Sequence, residues 1–202
     1  MAVTNGPSAR EAKRLQTRER LMGAAIAEFK RSGMAEADVG AIVSAAGVAH
    51  GTFFFHFPTK EHVLLELERR EEDRMAKQFG QFLESNDDLA DALNESVRLV
   101  LGLERRLGDL LFKDFLALHF SQTRPPSEDG RDHSLVVLLA QHLDVIRERG
   151  EIDSDVISLN SAAFFLLGLY ALAITTNDPF RGELLADLVK RTLRSLAVPG
   201  RA

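Results

Sequence analysis

The sequence predicts an all-α protein: an N-terminal three-helix domain containing a helix-turn-helix, followed by a larger helical domain. Three observations carry that reading. Apolar residues recur with helical spacing along most of the chain, and no segment alternates apolar and polar residues as a half-buried strand would. Residues 38 to 61, DVGAIVSAAGVAHGTFFFHFPTKE, hold two short periodic runs separated by a glycine turn, the pattern of two helices that cross steeply. Residues 156 to 177 carry no formal charge, which marks a helix covered on nearly every side. The 202 residues suffice for two small cores, and we expect a division into residues 1–60 and 61–202.

In chain order, residues 1 to about 9 are rich in Thr, Asn, Gly, Pro and Ser and read as a mobile arm. From about Glu11 to Arg31, Leu15, Met22, Ala25, Ile26 and Phe29 form the buried stripe of a helix that stops near Gly33. Val39, Ile42, Val43 and Ala46 then mark a two-turn helix, with Asp38 placed as its N-cap and Gly47 as a left-handed terminator. A second run extends from Val48 through Phe57. It is the odd one. Successive helical residues point about 100° apart, so Phe53, Phe54, Phe55, His56 and Phe57 cannot all reach one core. With Val48, Phe53 and Phe57 inward, His50, Gly51, Phe54 and Phe55 make the opposite face. Outward rings beside a glycine are costly in water and mark a docking surface. Pro58 fits the first turn of the next helix, where Thr59, Lys60 and backbone N–H groups can receive a phosphate.

Beyond Lys60 the pattern continues without a linker as a long helix to about Leu83, with Val63, Leu64, Leu67 and Met75 on one side. Ser85, Asn86, Asp87 and Asp88 form a break and a cap. Further helices are expected at about 88–106, 108–122 and 131–149, with the loop TRPPSEDG at 123–130. The uncharged segment that follows has an uninterrupted low-polarity core, Ala162 to Ile174, of only 13 residues and no basic anchor nearby. It is too short for a membrane span. In so small a domain, one side of such a helix is expected to be covered by another subunit. The last helix, from about Pro179 to Ala197, carries a broad stripe of Leu184, Leu185, Leu188, Val189, Leu193 and Leu196.

The helix-turn-helix region resembles the DNA-binding region of the TetR family of bacterial transcriptional regulators. The likeness is carried by Val39 behind a capping residue, Ile42, the turn Ala46-Gly47-Val48, Gly51-Thr52-Phe53, His56-Phe57 and Lys60-Glu61. It reaches back through Leu21-Met22, Ala24-Ala25, Phe29 and Gly33, and so covers roughly residues 15 to 67. The resemblance implies that His50, Gly51, Thr52, Phe54, Phe55, His56 and Lys60 contact DNA. It also implies a homodimer built by the last two helices, bound to a palindromic operator and released as a repressor by a small molecule. The chain departs from the family at three places. Phe54 replaces a tyrosine whose hydroxyl reaches phosphate, Asp38 replaces a threonine, and Gly40 stands where some members use a side chain on a base.

The chemistry of these residues agrees with such a role. A ring nitrogen of His50 suits a base edge, Gly51 lets backbone approach, and Thr52 offers a hydroxyl and a methyl. Phe54 and Phe55 can give only apolar contact, to thymine methyls and sugars. His56 and Lys60 suit phosphate. Up to Lys60 there are 8 Lys/Arg against 5 Asp/Glu, a balance of +3, whereas the remainder carries −8. Arg10, Lys13, Arg14, Arg18 and Arg20 make up most of that basic end, and local cations rather than net charge govern DNA affinity.

In the second domain Phe112, Phe115, His119, Phe120, Phe164, Phe165 and Tyr170 are candidates to line an apolar pocket for a small hydrophobic effector. Enzyme signatures are missing: there is no P-loop, dinucleotide fingerprint, GxSxG or HExxH, and no two histidines stand at i, i+4. Neither a cofactor nor a metal is expected. With no cysteine and no apolar leader behind its N-terminal charges, the chain is expected in the cytoplasm. The competing reading is an all-helical interaction module that uses the Phe54 and Phe55 face to bind a protein.

Overall fold

The computed structural model describes residues 8–121, 133–176 and 179–200. Among them are nine helices and no strand: α1 (Ala9–Glu36), α2 (Val39–Ala46), α3 (His50–His56), α4 (Lys60–Leu83), α5 (Leu89–Leu107), α6 (Asp109–His119), α7 (Ser134–Glu148), α8 (Ser158–Thr175) and α9 (Phe180–Leu196). The all-α expectation holds, and most boundaries agree to within two residues. α1 begins earlier than its apolar stripe indicates because the Ser8 hydroxyl accepts from Glu11 N at 3.3 Å and caps it. Ser8 and Ala9 therefore belong to a helix rather than to the expected arm. Residues 1–7 and the TRPPSEDG loop lie outside the described residues.

The chain forms two compact units. The first takes the chain up to Glu68 together with Leu107–Ser121, so it contains α1, α2, α3, the start of α4, and α6. Division by packing thus differs from the division by chain order at residue 60. The reason is the side-chain pattern of α6, where Leu111, Phe112, Phe115 and Leu116 are all buried and α1 is the neighbour. A polar bond fixes the same pairing. α1 breaks at Gly33, whose φ of 78° and ψ of 159° suit only glycine, and the turn aims Met34 N at Asp114 Oδ2 of α6, 2.6 Å away.

The second unit holds Arg69–Arg106 and the chain from Gln122 onward. Asp88 caps α5 by accepting from Asp91 N at 2.9 Å. α8 packs against both α7 and α9, and Gly168 allows the α9 contact: a Cβ there would stand 3.2 Å from Leu188 Cδ1. Partly buried ion pairs tie the helices together, Arg106 to Glu71 at 2.7 Å and Arg181 to Glu104 through two guanidinium nitrogens. Among the described residues α8 is the one unbroken helix long and apolar enough to cross a membrane. Seven of its residues, Phe165 and Tyr170 among them, are nevertheless buried within the unit. Its other side is not: Phe164, Leu167 and Ile174 are exposed.

Candidate nucleic-acid interface

α2 is fixed at both ends. The Asp38 carboxylate accepts from Gly40 N at 2.8 Å and from Ala41 N at 3.2 Å, filling two of the orphan donors at the helix start. Gly40 belongs to this cap, since a Cβ there would lie 3.2 Å from both carboxylate oxygens. Two departures from the family pattern are therefore one local solution. At the other end Gly47 takes φ 63° and ψ 43°, the expected left-handed stop, and Val48 N closes back on Val43 O at 3.0 Å. The axes of α2 and α3 are bent by 95°, within the range of a helix-turn-helix.

α3 divides its rings as its spacing requires. Phe53 and Phe57 are fully buried, whereas Phe54 is 47% exposed and Phe55 73%. His50 and Gly51 are also exposed, Thr52 is half-buried, and the helix starts at His50 rather than Val48. Phe54 is flanked by its own neighbours, with its ring centroid 5.6 Å from His50 and 5.3 Å from Phe53. Among the described residues the ring contact of Phe55 is with the edge of His56, at 5.1 Å.

His56 and Lys60 do not sit as free phosphate ligands. His56 is buried, and burial, reinforced by Arg18 and Arg14, holds its imidazole below the usual histidine range and therefore uncharged at neutral pH. The Lys60 ammonium donates to Ala35 O at 2.7 Å and Ala37 O at 3.2 Å, closing the carbonyl end of α1. Its position at the start of α4 signals a phosphate, but a four-carbon stem also reaches the neighbouring helix end. The Glu28 carboxylate steadies the same junction. It bonds Arg31 and Ser32, reaches Asp38 N at 3.5 Å, and is held below the usual carboxylate range chiefly by the Arg31 bond.

Arg18 is the residue that sequence reasoning missed. It reads as one cation in a basic run, yet its guanidinium donates to His56 O at 2.5 Å, lies 4.1 Å over the Phe57 ring, and stands 3.8 Å from the Glu66 carboxylate. One side chain of α1 thus pins the C-terminus of α3 to the start of α4. No sequence signal separates it from Arg14, which is exposed and near enough to His56 to oppose its protonation. Arg10, Lys13 and Arg20 are exposed too.

A capped α2, a left-handed glycine and a short α3 pinned at its far end form a rigid reading head with an outward aromatic face. The family model described as bacterial regulatory proteins, tetR family, matches residues 21–67, the whole of this head with the start of α4. Over those residues the chain resembles the DNA-binding domain of tetR-family regulators. No curated protein matches it. Solved structures share its fold over nearly the full length. A TetR-family transcriptional regulator from Pectobacterium atrosepticum superposes with a TM-score of 0.70 at 18% identity, covering 94% of this chain and 98% of the other. RolR in complex with resorcinol gives 0.67 at 22%, covering 93% and 91%. Thermus thermophilus FadR in complex with lauroyl-CoA gives 0.62 at 24%, covering 92% and 98%.

The seven residues expected to line an effector pocket fall into two groups. Phe112, Phe115, His119 and Phe120 belong to the first unit and Phe164, Phe165 and Tyr170 to the second. Phe112 and Phe115 are core, His119 stacks on Phe115 and bonds Glu68 Oε1 through Nδ1 at 2.5 Å, and Phe120 is half-exposed with its ring 4.9 Å from His119. In the second unit Phe165 and Tyr170 are buried, while Phe164 is 71% exposed and faces away from that core.

Proposed function

We propose that the protein is a repressor that binds a palindromic operator as a homodimer in the cytoplasm and leaves it when a small hydrophobic effector binds. The observation that carries the reading is the outward face of α3, His50, Gly51, Phe54 and Phe55, on a helix whose buried face and C-terminus are locked by Phe53, Phe57 and Arg18. Dimerisation is supported by α8. Its exposed residues Asn160, Phe164, Leu167, Ala171 and Ile174 recur every three or four positions, the spacing of a helix seam, and no charge interrupts them. An isologous pairing along that seam presents two reading heads to half-sites about 34 to 36 Å apart.

Effector control draws on the relatives, since RolR was solved with resorcinol and FadR with lauroyl-CoA. α4 runs unbroken from the first unit into the second, so a ligand that favours one tilt of α4 shifts the population of head spacings.

The test is to incubate the full-length protein with sheared DNA from its own genome, sequence what it retains, and titrate that site against salt. The expected result is one or a few palindromic sites and a log–log salt slope of several phosphates. Retention of no specific fragment, or binding indifferent to salt, would overturn the proposal and leave the Phe54 and Phe55 face to a protein partner.

A further inference from the structure

Taking the DNA-binding reading as its basis, we propose that Phe55 makes this protein a reader of pyrimidine 5-methyl groups: it selects thymine by its methyl, and 5-methylcytosine at the same position substitutes for it. Phe55 is the most exposed large apolar side chain among the described residues of the first unit, with 73% of its surface open. A phenyl ring has no hydrogen-bonding group. In the major groove the edges of adenine, guanine and cytosine are donors and acceptors, and the one apolar feature is the C5-methyl of thymine. A ring set against a polar edge strips its water and returns nothing, so selection comes from both the methyl contact and the penalty at other bases.

Two features of α3 single out Phe55 rather than Phe54. Phe54 is backed by His50 and Phe53, which makes it a wall. Phe55 has Gly51 one turn before it on the same face, and a Cβ at Gly51 would meet nothing within 4 Å. No neighbour in the chain requires glycine there, in contrast to Gly40, whose place is filled by the Asp38 carboxylate. The open notch beside the ring admits the edge of a base pair. The surrounding charge fits DNA rather than an apolar protein surface, because Arg10, Lys13, Arg14 and Arg20 of α1, in the same unit, are all exposed.

The experiment uses the full-length protein and the operator recovered from its genomic DNA. Each thymidine is replaced in turn by deoxyuridine, which removes the methyl and leaves the pairing edge unchanged. We expect about a fourfold loss of affinity at one or two positions per half-site, the worth of one buried methyl, and no loss elsewhere. At those positions 5-methyldeoxycytidine should bind about fourfold better than deoxycytidine. Phe55→Ala should abolish both differences while leaving the salt slope unchanged, and because Phe55 is exposed the variant keeps its core. Uniform tolerance of deoxyuridine in a protein that still selects its operator would overturn the inference alone, as would a Phe55→Ala protein that retains the full thymidine preference. Failure of the wild type to retain any specific fragment would remove the DNA-binding reading and this inference with it.

Discussion

Two helices of this molecule hold an exposed phenylalanine next to a buried ring, and the two pairs teach different lessons. On α3, Phe55 is 73% exposed beside buried His56 and one turn after exposed Gly51; on α8, Phe164 is 71% exposed beside buried Phe165 and in line with Leu167 and Ile174. The exposure is nearly the same. What differs is the company. A ring beside a glycine notch, in a unit whose first helix exposes Arg10, Lys13, Arg14 and Arg20, suits a partner with both phosphate and a small apolar group, whereas a ring in an uncharged aliphatic stripe suits a second apolar helix. An exposed ring therefore indicates a partner, and its neighbours indicate which kind.

The largest effect expected from breaking this comparison is at α8. Phe164→Glu places a charge in the proposed seam and should leave a folded monomer by light scattering, with operator affinity reduced about a hundredfold or more as the linkage of two heads is lost. A variant that remains dimeric would remove the seam from α8. Next comes Arg18→Met, which takes away the bond to His56 O and the cation over Phe57. We expect it to cost about 2 kcal/mol of stability in urea and to weaken operator binding without changing the salt slope. Arg14→Ala should do the reverse, lowering the slope by about one per subunit at unchanged stability.

Acid supplies a second comparison between the two regions. Burial lowers the proton affinity of His56 on α3 and of His142 on α7, with help from Arg18 and Arg14 at the first and Arg149 at the second. In each case the unfolded chain takes up a proton more readily than the native one. Stability is therefore kept above the ordinary histidine pKa of about 6.5 and lost as pH falls below it toward the depressed native values. Urea midpoints should drop between pH 7.5 and 5.5, and His56→Gln should remove only part of that drop, leaving the share of His142. The smallest effect is expected at Gly51→Ala. It should raise stability by about 0.5 to 1 kcal/mol, because glycine is a poor helical residue, while lowering operator affinity several-fold through the filled notch. A gain in both would show that the notch has no use.

Much of the reading head was legible in the sequence, for a physical reason. The Asp38 cap, the left-handed Gly47 and the split between buried Phe53 and Phe57 and exposed Phe54 and Phe55 depend on neighbours within one turn. What stayed illegible depends on residues far along the chain. That Lys60 closes the end of α1, that Arg18 clamps α3, and that α6 packs with the head are pairings across 23, 38 and 80 residues, and no periodicity encodes them. On α8 the difficulty was different: a helix without charges has no polar face to orient it, so Phe164 and Phe165 look alike until the α7 and α9 contacts are known.

The double acceptor at Asp38 and the bare backbone at Gly40 also bear on how this protein could change its target. Any side chain introduced at 40 to touch a new base crowds the carboxylate two residues earlier, which must give way by a few tenths of an ångström, and any shorter residue at 38 surrenders a bond at the helix start. Retargeting through α2 therefore strains the cap, while α3, with open space at Gly51 and an exposed ring at Phe55, accepts changes without that strain. Drift in operator preference should follow the easier route, and laboratory selections for new sites should return changes at 50, 51, 54 and 55 long before any at 40.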